Sequence, residues 1–337
     1  MSAIKYFSRN FVFPLFSSLG INDVVRSLSS NNMLVLCMHG VANNNANKIN
    51  GRHMLAADFD KLCGYLTAKT DVVSLDEIFE MKKNGIKPKR KTVAITFDDG
   101  YVNNLETAAP ILSKHKLKAT FYVMTAPLNN PNYLAWPDLI DVLNAKSTQT
   151  SFKFGDNTFV KNNGTLINAD TKESAYVHFK KAGFERLEIF DKVYTDYRVK
   201  DLLANVNLEH IKIANTEQVI QLSKDHLFDI GSHTVNHFCL ANVDIELAKQ
   251  ELQNSKKELE NILQKPVPSI AYPDGSYTDD VLEASKQIGY SSLVLVNYKN
   301  EKDKQNADVL PRLSVSNTTN YAANIFHFSK AFGSDGF

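Results

Sequence analysis

Thr92-Val93-Ala94-Ile95-Thr96-Phe97-Asp98-Asp99-Gly100-Tyr101 decides how this chain folds. Its first six residues are β-branched, aromatic or small, and Asp98-Asp99-Gly100 then signals a turn. The stretch predicts a strand that ends on two carboxylates. Working outward toward the N-terminus, residues 33–37 form a short apolar run that predicts a buried strand, and 56–69 predict a helix. Ser74, with Glu77 three residues on, forms a capping box that starts another helix. On the other side, 103–114 predict a helix in which Pro110 implies a kink or a late start. Residues 118–124 are the next strand. The same alternation resumes later. A helix is predicted at 216–224 and a strand at 227–230. The helix at 245–263 has Ala248, Leu252, Leu259 and Ile262 at helical spacing. A strand at 269–272 precedes a helix capped by Thr278 and closed by Gly289, and strands at 292–296 and 310–315 end the series. Repeated β-then-α order predicts a parallel α/β sheet or barrel.

Residues 126–214 break this rhythm. They hold the single tryptophan, Trp136, then a Gly/Asn-rich stretch at 155–164 and a polar helical stretch rich in lysine and glutamate. They read as a partly helical insertion within a barrel at 33–316, flanked by an N-terminal helical segment at 1–32 and a tail at 317–337. Because the insertion leaves from the C-terminal end of a strand, it is expected over or beside that face, as a lid or a substrate-specificity region. Trimming 140–210 is then expected to change substrate affinity more than metal binding. Trp136 either packs in the insertion's own core or stacks on a sugar or nucleotide ring.

Composition narrows the function classes. A formal net charge of +1 without a dense basic stripe speaks against nucleic acid as a partner. Cys37, Cys63 and Cys239 are too few and too scattered for a disulfide framework or a cysteine zinc site, and they suit a reducing compartment. No run of 18 apolar residues exists to span a bilayer. Phe11-Val12-Phe13-Pro14-Leu15-Phe16 follows Lys5 and Arg9 but is short, holds a proline and lacks a small-residue cleavage site after it. It reads as mature sequence: either a helix packed on the domain, or a peripheral contact with the inner membrane face through 5–20, using Phe7, Phe11, Phe13 and Phe16.

Several motifs carry chemistry, and each has a plainer alternative. Asp98-Asp99 can be only a turn, or one carboxylate can bind a metal while the other stays free as a base, provided the backbone bends at Gly100. His233 and His237, four apart in Gly231-Ser232-His233-Thr234-Val235-Asn236-His237, would share one face of a helical turn, a spacing that suits two imidazoles on one zinc-like ion. Both motifs directly follow predicted strands, and in a parallel barrel the strand C-termini converge on one face. Tyr272-Pro273-Asp274-Gly275 is a turn that could also wall a pocket. His39 stands at another strand exit, and Arg312 follows Pro311.

Together these motifs resemble the polysaccharide deacetylase family, carbohydrate esterase family 4, also called the NodB-homology family. The signature is Thr-Phe-Asp-Asp-Gly at 96–100 with His-Thr-x-x-His at 233–237, supported by Ala-Thr-Phe-Tyr-Val at 119–123 and Tyr-Pro-x-Gly at 272–275. The resemblance implies a distorted parallel (β/α) barrel and one divalent metal. It implies Asp99, His233 and His237 as metal ligands and Asp98 as the base. Three departures accompany it. The arginine that many members carry before the third-motif proline is Ala271 here, and Arg312 is the candidate to orient the base instead. No late histidine stands near 313–317. Met38-His39-Gly40-Val41 is similar to the early histidine segment of one branch, which makes His39 the candidate acid and His53 the next. Asp274 stands where a tyrosine is usual and has no assigned role.

The implied activity is metal-dependent removal of an acetyl group from an amino-sugar nitrogen, with the Tyr101 backbone N–H as oxyanion donor and Tyr272, Pro273, Asp274 and Trp136 at the substrate. Zinc is the first expectation, and cobalt, nickel or manganese also suit two histidines and one aspartate. The expected substrate is a nucleotide-linked, lipid-linked or oligosaccharide amino sugar of surface-glycan assembly in the cytoplasm. The alternatives are a deformylase or another N-acyl amidohydrolase, and a catalytically inactive glycan-binding domain.

Overall fold

The computed structural model describes residues 7–29, 32–46, 48–130, 132–315 and 321–332. The central sheet is built around β1 (Met33–Met38), whose pattern is buried on both faces beyond its first residue. The short β2 (Gly40–Ala42) and β3 (His53–Leu55) pair in parallel beside it, and β4 (Asp71–Val72) joins one end of β5 (Thr92–Phe97). β5 is buried at all six positions. Val93, Ile95 and Phe97 on one of its faces each contribute roughly 1.5–3 kcal/mol by leaving water. β6 (Ala119–Val123) follows. The insertion holds an antiparallel sheet of β7 (Ser151–Phe154), β8 (Asn157–Asn162) and β9 (Thr165–Asn168). The main sheet resumes with β10 (Phe228–Ser232), β11 (Ser269–Ala271), β12 (Ser292–Val294), β13 (Val309–Leu310) and β14 (Leu313–Ser314).

The strand order is β13-β12-β11-β10-β6-β5-β1-β14, with β4 off this path, and every pairing in the sheet is parallel. β13 and β14 lie at opposite ends of that order but are consecutive in the chain. Pro311 and Arg312 alone separate them, so the sheet must curl until its two ends meet. This is the distorted parallel (β/α) barrel of the NodB-homology type. The strand expected at 310–315 is therefore corrected to two short strands. Proline has no N–H to continue a ladder, and the chain crosses the seam there.

Other expectations resolve in detail. The helices Ala56–Lys69 and Ile245–Leu263 have the expected bounds, Ser74 forms its capping box and Gly289 closes Asp279–Ile288 at φ 99°. The helix expected at 103–114 is present as a continuous helical run from 102 to 115, with a π-turn, Asn104–Ala108, inside it and Pro110 just after that turn, where the kink was expected. The Gly/Asn-rich stretch joins the three antiparallel strands: Gly155 and Gly164 take φ 60° and 79° at the two turns. The insertion also holds helices at Trp136–Lys146, Ala175–Phe179, Glu185–Asp196 and Val199–Leu203, and a hydrophobic cluster of its own that includes Trp136, Phe154, Phe159, Phe179 and Phe190. Of the N-terminal phenylalanines, Phe13 and Phe16 pack on Phe326 of the helix Tyr321–Ala331, whereas Phe7 and Phe11 are exposed, as are Leu15 and Leu19. None of the described helices is long and apolar enough to cross a membrane. The tail beyond 332 and residues 316–320 lie outside the described residues.

Candidate active site

The C-terminal edge of the curled sheet opens into a pocket of about 310 Å³. β5 delivers Asp98 and Asp99 to it. Side chains on successive strand residues point apart, but here Asp99 (φ 71°) and Gly100 (φ 74°) both take the left-handed conformation, and the chain turns so that both carboxylates line the pocket. Gly100 is needed for space as well, since a Cβ there would lie 2.9 Å from Val123 Cγ1.

β10 delivers the histidines. The helical turn expected at 233–237 is absent. Thr234 (φ 66°) and His237 (φ 57°) are left-handed, so the chain coils away from the strand end as an irregular loop. This loop nevertheless aims both imidazoles at Asp99. His233 Nε2 lies 3.4 Å and His237 Nε2 3.3 Å from Asp99 Oδ1. One ligand atom from each of the three residues falls within 4.8 Å of the others. His233 Nδ1 is 2.8 Å from the Ala271 carbonyl, which only accepts, so Nδ1 carries the proton and Nε2 presents its lone pair. Burial pushes the Asp99 carboxyl up, but the two histidines beside it outweigh that and hold it well below the usual range. Two nitrogens and one oxygen, converging and buried, fit a divalent ion with coordination positions left for water.

Asp98 faces a different partner. Arg312 reaches it from the β13–β14 seam, donating from Nη1 to Oδ1 at 2.6 Å and from Nη2 to Oδ2 at 2.7 Å, and is 3% exposed. The same guanidinium donates to Thr96 Oγ1 and to the Leu295 carbonyl. Cys37 Sγ donates to Asp98 Oδ2 at 3.3 Å. Burial raises the Asp98 carboxyl, yet Arg312 beside it more than compensates, so the group stays ionised. An arginine can be this deep because its fork matches a carboxylate.

His39 also lines the pocket, with Tyr101, Trp136, Tyr272 and Asp274, while Pro273 is buried in the same turn and does not. Tyr101 is fixed at both ends. Its hydroxyl donates to Asp138 at 3.0 Å. Its backbone bridges Ile213 between the bonds from the Val102 N–H to the Lys212 carbonyl and from the Ala214 N–H to the Gly100 carbonyl, a pairing that turns the Tyr101 N–H away from that ladder. His53 is fully buried behind Tyr101, bonded to Asn103, and outside the pocket. Burial, with His210 and Arg52 nearby, pushes its imidazole well below the ordinary value. His210 is fully buried against His53 and bonds to the Asn44 carbonyl. Trp136 is in the insertion's cluster and lines the pocket at once. The Arg186 guanidinium covers one of its faces at 4.9 Å, so only the other could meet a ring. Asp274 accepts from Lys180 at 2.6 Å, joining the barrel rim to the insertion.

Arg52, Tyr176 and Lys180 are among the pocket residues that escaped the sequence reading. Arg52 pairs with Asp138 and Asp141, and Tyr176 donates to Asp141. None stands in a motif. Glu251 was missed too, although a signal existed. It interrupts the i, i+4 stripe Leu247, Ser255 and Leu259 on the buried side of its helix.

A curled parallel sheet with a carboxylate pair and two histidines on its C-terminal edge defines a NodB-type (β/α) barrel. The chain belongs to the polysaccharide deacetylase family. The family model matches residues 85–149 and 188–293, just over half of the chain, and the gap falls inside the insertion. YxkH of Bacillus subtilis, a polysaccharide deacetylase homologue, is 21% identical over 230 residues, 68% of this chain and 53% of that protein. The chain thus spans about half the length of this curated relative. Among solved structures, IcaB from Ammonifex degensii is similar at a TM-score of 0.58 and 16% identity, covering 90% of this chain and 98% of that one. The Streptococcus pyogenes deacetylase PplD, solved with acetate, has a TM-score of 0.56 and 18% identity, with coverage of 88% and 96%. The de-N-acetylase of Aggregatibacter actinomycetemcomitans has the same TM-score and identity, with coverage of 88% and 99%.

Proposed function

We propose that this chain is a metal-dependent N-deacetylase of an amino sugar used in surface-glycan assembly (O-antigen, capsule or a similar polymer). The observation that carries this reading is the convergence of Asp99, His233 and His237 beside an Asp98 held by Arg312, in one pocket. Asp99, His233 and His237 would hold the ion, zinc first among the candidates. When bound, a divalent ion supplies Lewis acidity toward the amide carbonyl and toward a water molecule. Asp98 takes the proton of the attacking water. Arg312 and the Cys37 thiol fix the orientation of that carboxylate while leaving it lone pairs to accept with. The Tyr101 N–H donates to the developing oxyanion, steadied by the bonds on either side of it. His39 protonates the leaving amine, which departs poorly without a proton. Tyr272, Asp274 and Trp136 form the walls against which the sugar lies.

The test joins turnover to the acid. Wild-type protein is expected to release acetate from nucleotide-linked, lipid-linked or oligosaccharide N-acetyl amino sugars, followed by mass spectrometry. His39→Ala should keep fold and metal but lower kcat by about 10²–10⁴, the usual worth of a positioned acid. An activated ester, whose leaving group needs little protonation, should suffer less. Equal loss on amide and ester, or none, removes His39 from the role. His53, buried behind Tyr101, is poorly placed to replace it.

The reading also locates the protein. The three cysteines are free and buried, in keeping with a cytoplasmic protein and a cytoplasmic precursor. We assign the peripheral membrane contact to Phe7, Phe11, Leu15 and Leu19, a stripe at i, i+4 spacing that is more than half exposed at every position. Wild-type protein should cosediment with anionic vesicles, and Phe11→Glu with Leu15→Glu should abolish this while deacetylation of a soluble substrate is kept. Unchanged cosedimentation of the double variant would sink the assignment.

A further inference from the structure

Arg186 starts the insertion helix Glu185–Asp196 and is 1% exposed, yet among the described residues no carboxylate pairs with it. A guanidinium taken out of water without a counter-ion is costly, so its contacts must offset that cost. All of its hydrogen bonds go to carbonyls. Nη1 donates to Phe179 at 3.2 Å, and Nη2 donates to Asn236 at 2.9 Å and to His237 at 3.2 Å. Trp136 and Phe238 cover the cation at 4.9 and 4.7 Å.

The loop it grips carries both candidate metal-ligating histidines and two non-glycine residues in the left-handed conformation, one of them β-branched. Such a backbone persists only where its surroundings hold it. Glu251 supplies the opposite hold. It accepts from the N–H groups of Val235 at 3.0 Å and Asn236 at 2.8 Å, and from the Asn236 side chain at 2.7 Å. A cation thus takes the carbonyls of this loop and a carboxylate takes its amides. His237 depends on the grip more than His233 does, because His233 is oriented by the Ala271 carbonyl whereas His237 Nδ1 has no partner among the described residues.

We infer that Arg186 is a positioning residue for the metal ligand His237, so that the insertion completes the metal site as well as walling the pocket. This rests on the proposed metal reading. It also alters what trimming the insertion should do, since loss of Arg186 would cost metal as well as substrate affinity.

The experiment uses the full chain, stripped of metal and titrated with Co²⁺. Wild-type protein should bind one equivalent with a d–d absorption band. Arg186→Met, which keeps length and apolar cover but no donor, should bind Co²⁺ about 10–100-fold more weakly, the usual effect of losing a group that orients a ligand. Its band should shift, and kcat should fall with KM little changed. Arg186→Lys, which can reach fewer of the carbonyls, should lie between. If Arg186→Met does not fold by circular dichroism, the lysine variant decides. Wild-type affinity and an unchanged band in a folded variant, with only the metal-free melting temperature lowered, would overturn the inference. A wild-type protein that takes up no Co²⁺ would overturn the metal reading and this inference with it.

Discussion

Alanine at His233 or His237 is expected to strip the bound metal and reduce deacetylation by at least about 10³-fold, because Lewis-acid stabilisation is worth several kcal/mol and each ~1.4 kcal/mol is a factor of ten. The two variants should differ in stability. His233→Ala removes the donor to the Ala271 carbonyl and leaves a buried acceptor unpaired, at about 1–3 kcal/mol. His237→Ala strands no partner through Nδ1, which has none among the described residues, so it is the cleaner probe. Metal content by mass spectrometry, beside circular dichroism of the same samples, checks both. Stoichiometric metal in both variants would rule these histidines out as ligands.

Asp98→Asn and Asp99→Asn are expected to separate the two neighbouring carboxylates. Asp98→Asn should retain metal and lose about 10²–10⁴ in kcat, since only the proton acceptor is gone. It should also melt earlier. An amide cannot receive both arms of the Arg312 fork, and breaking one side of a buried pair costs about 3–5 kcal/mol. Asp99→Asn should instead weaken metal binding, because it replaces the oxygen toward which both Nε2 atoms point. Metal loss in the Asp98 variant with retention in the Asp99 variant would exchange the roles.

Much of the site was legible because its residues sit in short strings at strand ends. Asp98, Asp99, His233, His237 and Tyr272 each follow a run whose apolar pattern marks a strand, and parallel strands must deliver their C-terminal ends to one edge. Helix bounds were legible for a similar local reason. Caps such as Ser74 and Thr278, and the closing Gly289, act within a few residues of the ends they define.

The conformation of the histidine loop was not legible in this way. Spacing of four suits a helical turn, but Thr234 and His237 adopt left-handed angles held by Arg186 and Glu251, groups about 50 positions before His237 and 15 after Asn236. The burial of His210 was not legible for a related reason: it is the folding of the insertion that sets it against His53.

What the amino-acid sequence determined by itself is the alternation of strands and helices, the order of the motifs, and hence the family. These depend on side-chain period and capping, which are local. Only the tertiary structure decided which charge meets which. Arg312 reaches Asp98 across 214 residues because the sheet curls until β13 and β14 share a seam. Tyr176 and Lys180 reach the pocket, and Arg186 the histidine loop, because the insertion folds back over the sheet edge, and there Asp138 and Asp141 meet Arg52 from beside β3. No period in a sequence encodes such a meeting. It follows from closing the sheet and burying the insertion's apolar cluster, and the polar groups brought inside must then find partners among whatever the fold has placed beside them.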